Sequence, residues 1–174
     1  RSKLLNELAE KIEKNLDELA KIETLNNGKT LPEAQGDIQA AADTFRYYAA
    51  LIMKPMGETL QVEMPLVSKV VREPIGVCGQ IIPWNYPLLM AAWKLAPALA
   101  AGNVCILKPS ELTPLTAIRL FEIMEVIGFP PGVINLINGT GTKAGQPLVK
   151  SNLVDKIAFT GGTETGKKIM ANSI

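Results

Sequence analysis

The chain has 174 residues, 18 of them basic and 17 acidic for a net charge of +1, and 47% of its side chains are apolar. That length buries one sizeable core, and a near-neutral balance without a basic stripe or tail excludes nucleic acid or an anionic membrane as the main partner, leaving a small molecule. Histidine is absent, so any chemistry must rest on carboxylate, lysine, thiol, hydroxyl or amide groups.

The leading segment reads as two packing helices. Leu5, Leu8, Ile12, Leu16, Leu19 and Ile22 recur at three- and four-residue steps between Leu4 and Leu25, and Asn27-Gly28 supplies a stop. Asp37 is the expected N-cap of a second helix that carries Ile38, Ala41, Phe45, Tyr48, Ala49 and Ile52. Two short extended runs follow, Leu60 to Met64 and Val67 to Val71, separated around Pro65 and read as a hairpin or a pair of edge strands.

From Pro74 the pattern changes. Short apolar runs at Ile75–Ile82, Val104–Leu107, Val133–Ile137 and Lys156–Phe159 alternate with helical stretches at Pro87–Ala101, Pro114–Ile127, Thr142–Val149 and Glu164–Ala171. Such βα repeats predict an α/β fold whose parallel sheet is covered on both faces and joined by right-handed crossovers. The richest apolar run, Ile81–Ala101, is interrupted by Pro87, Lys94 and Pro97, which argues against a membrane span. Cys78 and Cys105 sit in strand-like runs without a metal-ligand spacing, so no metal is expected, and the thiols are read as buried and reduced in a cytoplasmic protein. The start at Arg1 inside a helical pattern and the stop at Ile174 without a closing element read as cuts in a longer chain.

In a parallel sheet the ligand sits beyond the carboxyl ends of the strands. Those ends read Pro83-Trp84-Asn85-Tyr86, Lys108-Pro109-Ser110-Glu111, Asn138-Gly139-Thr140-Gly141 and Thr160-Gly161-Gly162-Thr163. Lys108 and Glu111 taken singly are equally a solvated pair in a capped loop. Glycines in "TGGTETG" between strand and helix suit a phosphate or simply make a tight turn, and they match neither G-x-G-x-x-G nor a Walker loop. "GTGTKAG" is weaker still, since its glycines equally allow close packing of helix on sheet. Asn85, held between Pro83 and Pro87, offers an amide to a developing oxyanion or closes an Asx turn. Lys94 either snorkels to solvent or lines a cavity.

The stretches "IIPWNYPLLMAAWKLAPALAAGNVCILKPSELTP", "GVINLINGTG" and "KIAFTGGTETGKKI" resemble the N-terminal part of the NAD(P)-dependent aldehyde dehydrogenase superfamily. "PWNYPLLMAAWK" looks closest to its betaine and aminoaldehyde dehydrogenases. The resemblance covers nearly the whole chain. It implies a Rossmann-like parallel sheet preceded by two helices and a hairpin, with residues 1–58 as an N-terminal helical segment, 59–73 as the hairpin of an oligomerisation element, and 74–174 as part of an NAD-binding domain. A homo-oligomer, dimer or tetramer, is implied for the whole protein.

The cofactor-contacting residues implied are Ile81, Ile82, Pro83, Trp84 and Asn85 at the first strand end, and Lys108, Pro109, Ser110 and Glu111 at the second. Gly141 and Gly145 would flank the adenine, and Phe159, Thr160, Gly161, Gly162, Thr163 and Gly166 would surround the pyrophosphate. Many relatives carry Ser where this chain has Gly162, which leaves only backbone contacts there. Glu111 at the ribose site disfavours the 2′-phosphate of NADP, while Lys108 offsets that effect, so NAD is expected and NADP is possible.

The reaction implied is attack of a cysteine thiolate on an aldehyde, hydride transfer to the nicotinamide, and hydrolysis of the resulting thioester. Asn85 matches the oxyanion-stabilising amide and Lys94 a lysine of a charge relay. Nothing here matches the motifs of the family's nucleophilic Cys or general-base Glu, so Cys78, Cys105 and Glu164 are not assigned those roles, and the chain alone is expected to be inactive. A non-catalytic dinucleotide-binding or assembly fragment, and a different doubly wound nucleotide binder, stay open as alternatives.

Overall fold

The structure, a computed structural model, describes residues 1–54 and 57–173. Residues 55 and 56, within the 1–58 span, and Ile174, the last of the 74–174 span, lie outside the described residues.

The leading segment holds three helices where two are expected: α1 (Ser2–Lys14), α2 (Leu16–Asn27) and α3 (Leu31–Leu51). The break falls at Asn15, whose backbone turns out of the helix (φ −107°, ψ 17°) while its amide donates to the Lys11 carbonyl at 2.7 Å. A short polar side chain competing for a helix carbonyl in this way loosens the helix. Leu5, Leu8 and Ile12 before the break and Leu19 after it stay buried, which is why the periodicity runs across it unaltered.

Helix α3 starts well before Asp37. Thr30 caps it in a capping box, its side chain facing the Glu33 backbone N–H while the Glu33 carboxylate accepts from the Thr30 backbone N–H (3.1 Å) and from its hydroxyl (2.8 Å). Asp37 lies inside the helix, ion-paired to Lys29 at 2.5 Å.

The hairpin pairs β1 (Glu58–Leu60) with β2 (Ser68–Val70), antiparallel, with Leu60 opposite Ser68. The first strand lies ahead of the expected Leu60–Met64 run and shares only Leu60 with it, and the second keeps the middle three residues of Val67–Val71. Between them the chain is irregular about Pro65, where the Leu66 N–H bonds back to the Met64 carbonyl at 2.7 Å in a tight γ-type turn. Leu60, Val62, Met64, Leu66, Val67, Val70 and Val71 are all exposed.

The remainder alternates as expected: β3 (Val77–Ile81), α4 (Pro87–Ala101), β4 (Val104–Lys108), α5 (Leu115–Ile127), β5 (Ile134–Leu136), α6 (Gln146–Val149), β6 (Lys156–Phe159) and α7 (Thr163–Asn172). A π-turn, Gly141–Gly145, occupies the first part of the expected Thr142–Val149 helix. The four strands β5-β4-β3-β6 are parallel in that spatial order, so the chain builds outward from β3 on one side and returns to its other side.

Successive residues of β3 face opposite layers. Gln80 donates to the Lys94 carbonyl of α4 at 2.9 Å, while a Cβ at Gly79 would press on Leu148 of α6 and on Ile157. The α4 layer is the deep one: Phe45, Ile38, Leu5, Leu8 and Ile12 join Leu88, Leu95, Leu107, Leu120 and Met124 in one continuous core. The α6–α7 layer is thin, and α7 has no buried residue.

Entry into β3 is fixed by two polar side chains. Asn103 Oδ1 accepts from the N–H groups of Ile75 (2.7 Å) and Gly76 (3.1 Å), and Asp155 accepts from the Val77 N–H at 2.8 Å. Gly76 holds φ 120°, and a Cβ there would overlap the Asp155 carboxylate, so glycine is required on both counts.

Phe45→Ala, which empties a fully buried site, is expected to destabilise the protein by about 3–5 kcal/mol. Val126→Ala, at a position 81% exposed, should stay within about 0.5 kcal/mol. Urea-unfolding midpoints of the two variants check the contrast.

Candidate functional site

The register aligns the strand ends. Ile81 lies opposite Lys108 on one side and Phe159 on the other, and all three precede the polar loops. Beyond this edge runs a groove of about 490 Å³, lined by Ile81, Lys108 and Glu111 from the first two strand ends, by Thr140, Gly141, Thr142, Gly145, Gln146 and Val149 from the π-turn and α6, and by Thr165, Lys168, Ile169 and Asn172 from α7.

Lys108 is the buried cation of this groove. Its side chain is 4% exposed and its Nζ meets Glu111 Oε2 at 3.1 Å, while Glu111 itself is 45% exposed. The Glu111 backbone N–H and the Lys108 ammonium together hold the Glu111 carboxyl below the usual glutamate range. Ser110 Oγ accepts the Leu112 N–H at 3.3 Å in a local turn. A Cβ at Gly141 or Gly145 would meet no protein atom within 4 Å, so the space beside both glycines is open to a ligand.

The expected residues after β6 divide. Phe159 packs its ring against Gly161 and Gly166; a Cβ at Gly161 would stand 2.6 Å from the ring, and one at Gly166 would touch it at 3.4 Å. Those glycines therefore seat Phe159, while Gly162 caps α7 with open space beside it. Thr163 begins the helix, whose first turn leaves backbone N–H groups without intrahelical partners. Neither these residues nor Thr160 line the groove itself.

Four lining residues on α7, Thr165, Lys168, Ile169 and Asn172, are absent from the sequence expectation. They recur at helical steps on one face, but their mixed polarity gives no apolar stripe to detect.

Asn85 lies apart from that groove. It borders a second hollow of about 400 Å³ with Asn27, Lys29, Glu33, Asp37 and Tyr86. Pro83 is half-buried, Ile82 is buried, and Trp84, Asn85 and Tyr86 are exposed. The backbone of this loop is held firmly: Asn27 Nδ2 donates to the Trp84 carbonyl at 2.6 Å and reaches the Asn85 carbonyl at 3.4 Å, and Thr113 Oγ1 also donates to Trp84 at 3.2 Å. Pro109 is buried behind Lys108.

Lys94 is half-buried in the middle of α4, and burial lowers its ammonium pKa. The two cysteines sit opposite one another on β3 and β4, both buried. Burial raises both thiol pKa values, that of Cys105 to about 12, so neither is poised as a thiolate. Among the described residues no cluster of potential ligands could hold a metal ion, and no helix is long and apolar enough to cross a membrane.

Lys108→Met should shift the Glu111 titration upward toward the ordinary value of about 4.3, read from carboxyl carbon resonances across a pH series. Because the folded pKa lies below the unfolded one, the pair stabilises the protein above the unfolded value and that contribution vanishes as pH falls through the folded pKa. The variant should lose the share of this acid dependence that Lys108 supplies and keep the share due to the Glu111 backbone N–H.

The whole chain, residues 1–174, matches the profile of the aldehyde dehydrogenase family. It is 54% identical over 171 residues to betaine aldehyde dehydrogenase of Bacillus subtilis and 53% identical over 174 residues to betaine aldehyde dehydrogenase 1 of Oryza sativa, each match covering 98% of this chain. Its backbone superposes with a TM-score of 0.97, at 50% identity and over 99% of its length, on the crystal structure of betaine aldehyde dehydrogenase from Staphylococcus aureus in complex with NAD+. The chain spans about a third of the length of these relatives, 35%, 34% and 35% respectively. A match of this extent fixes its kinship: the chain belongs to the aldehyde dehydrogenase family.

Proposed function

We propose that the protein to which this chain belongs oxidises an aldehyde to the carboxylic acid with NAD, NADP being the second possible cofactor. Betaine aldehyde or a related aminoaldehyde is the substrate class favoured. The observation that carries this reading is the near-superposition, TM-score 0.97, on a betaine aldehyde dehydrogenase crystallised with NAD+. The identities of 54% and 53% to two further betaine aldehyde dehydrogenases support the substrate class.

The groove fits the cofactor on its own chemistry. Lys108 and Glu111 present a paired cation and carboxylate at its edge, suited to ribose hydroxyls. Gly141 and Gly145 leave open the space a flat base would fill, between the apolar Ile81, Val149 and Ile169. Just outside the groove's lining, Gly161, Gly162 and Thr163 at the start of α7 would supply backbone N–H groups to the pyrophosphate, with Gly166 one turn on. Bound there, NAD supplies the hydride acceptor.

The chain's own contribution to the chemistry lies in the loop after β3 and in α4. Asn85 would donate its amide to the aldehyde oxygen as negative charge gathers on it. Lys94, whose ammonium burial destabilises, would release a proton more readily than an exposed lysine. The thiolate and the general base come, in this reading, from residues other than those present, since Cys78 and Cys105 are buried with raised pKa values.

The exposed apolar residues of the β1–β2 hairpin suit pairing with another subunit in a dimer or tetramer. The free cysteines suit the reducing cytoplasm.

The test is aldehyde-dependent NADH formation by the full-length protein, with betaine aldehyde, aminoaldehydes and simple aliphatic aldehydes compared. Turnover of betaine aldehyde or an aminoaldehyde above the others is expected, and no NADH with any aldehyde would sink the reading. Asn85→Ala should lower kcat by about 10²–10³-fold. The 174-residue chain alone should produce no NADH.

A further inference from the structure

We propose that Asn27 is a positioning residue for Asn85, acting through the backbone of the loop rather than touching substrate. The inference rests on the role given above to the Asn85 amide.

An oxyanion donor works only if its direction is fixed before charge develops. Asn85 sits in an exposed loop, and its two prolines fix only their own φ angles. The remaining freedom is removed by partners from α2 and from the loop after β4. Asn27 Nδ2 donates to two successive carbonyls, Trp84 (2.6 Å) and Asn85 (3.4 Å), and Thr113 Oγ1 adds a second donor to Trp84 at 3.2 Å.

The amide of Asn27 is itself placed. Gly28, at φ 90°, ends α2 in the left-handed conformation and lets the chain fold back beneath the loop. The neighbouring Asn26 accepts the Leu115 N–H at 3.0 Å and donates to the Leu112 carbonyl at 3.3 Å, which anchors the same helix end to the loop that carries Thr113. On the far side of Asn85, Lys29 places its ammonium 4.5 Å from the Tyr86 ring centre, and Glu23 accepts the Leu88 N–H at 3.3 Å. The Trp84 and Asn85 carbonyls and the Leu88 N–H, all held in this way, lie within three residues of Asn85.

A clamp of this kind affects the turnover step more than cofactor binding, since the groove bounded by Lys108, Gly145 and α7 includes none of these residues. In the full-length protein, Asn27→Ala and the near-isosteric Asn27→Asp, which loses the donor, should each lower kcat about tenfold or more while NAD affinity and the aldehyde KM stay within about twofold. Added to Asn85→Ala, Asn27→Ala should lower kcat by less than about twofold further, because the amide it orients is gone. Unchanged kcat in both Asn27 variants would overturn the proposal. So would a full further loss on the Asn85→Ala background, a parallel loss of NAD affinity, or failure of both variants to fold, each of which marks Asn27 as a general structural residue. Wild-type turnover by Asn85→Ala would remove the oxyanion role along with the clamp, whereas a strong effect at Asn85 with none at Asn27 removes the clamp alone.

Discussion

One fully buried carboxylate governs how the leading helices meet the sheet. Glu23 has no solvent exposure and finds its partners in two different segments: Lys29 Nζ at 3.1 Å, and the Leu88 N–H at 3.3 Å at the start of α4. Burial pushes its pKa up, against the pull of Lys29 and of the hydrogen bonds. Burial acts on Lys29 in the opposite sense to its partners, but Asp37 and Glu23 outweigh it and the ammonium pKa rises. A cation bridging two carboxylates therefore joins α2, α3 and α4 at one point. A pair like this adds little as a source of net stability, but removing one member leaves an uncompensated buried charge, at about 3–5 kcal/mol. The geometry that follows from it is specific: α2 must end where its asparagines reach the loops after β3 and β4.

The sheet supplies the second half of the arrangement. A deep apolar layer on the α4 side gives β3 and β4 a rigid seat, while the thin layer of α6 and α7 leaves a groove over the same strand ends. Ile81 and Lys108 face the groove, and Gln80 and Leu107, one residue earlier in each strand, face the core. Strand alternation alone thus separates the ligand side from the packing side. The polar loops then diverge: Lys108 and Glu111 close on the groove, and Asn85 lies at a different hollow beside the helical segment. In the proposed reaction this split assigns cofactor and substrate oxygen to neighbouring strand ends.

Much of this was legible from residues alone, for reasons that can be named. Buried parallel strands read as continuous apolar runs, so β3, β4, β5 and β6 fall inside their expected spans save for Lys108, which extends β4 by a residue. The polar strand ends followed from the chain direction. The kink at Asn15 was not legible, because both flanking helices bury the same apolar face and the break leaves the periodicity intact. In sequence Asp37 resembles an N-cap, but its carboxylate pairs with Lys29 and the Thr30–Glu33 box opens α3. In sequence Asn27 reads only as a helix stop. Its partners lie 57 and 58 residues away, a distance no local pattern spans. The α7 face of the groove is not legible for a different reason, since ligand-facing residues obey no hydrophobic rule.

The pairing of Cys78 with Cys105 across β3 and β4 carries a consequence for how the molecule breathes. Both thiols are nearly or wholly sealed from solvent, at 4% and 0% exposure, and burial disfavours their thiolate forms. A thiol reagent can reach them only when the strands or the helices over them part. Their alkylation rate is therefore a clock for opening at the centre of the sheet, set by the layer that seals them.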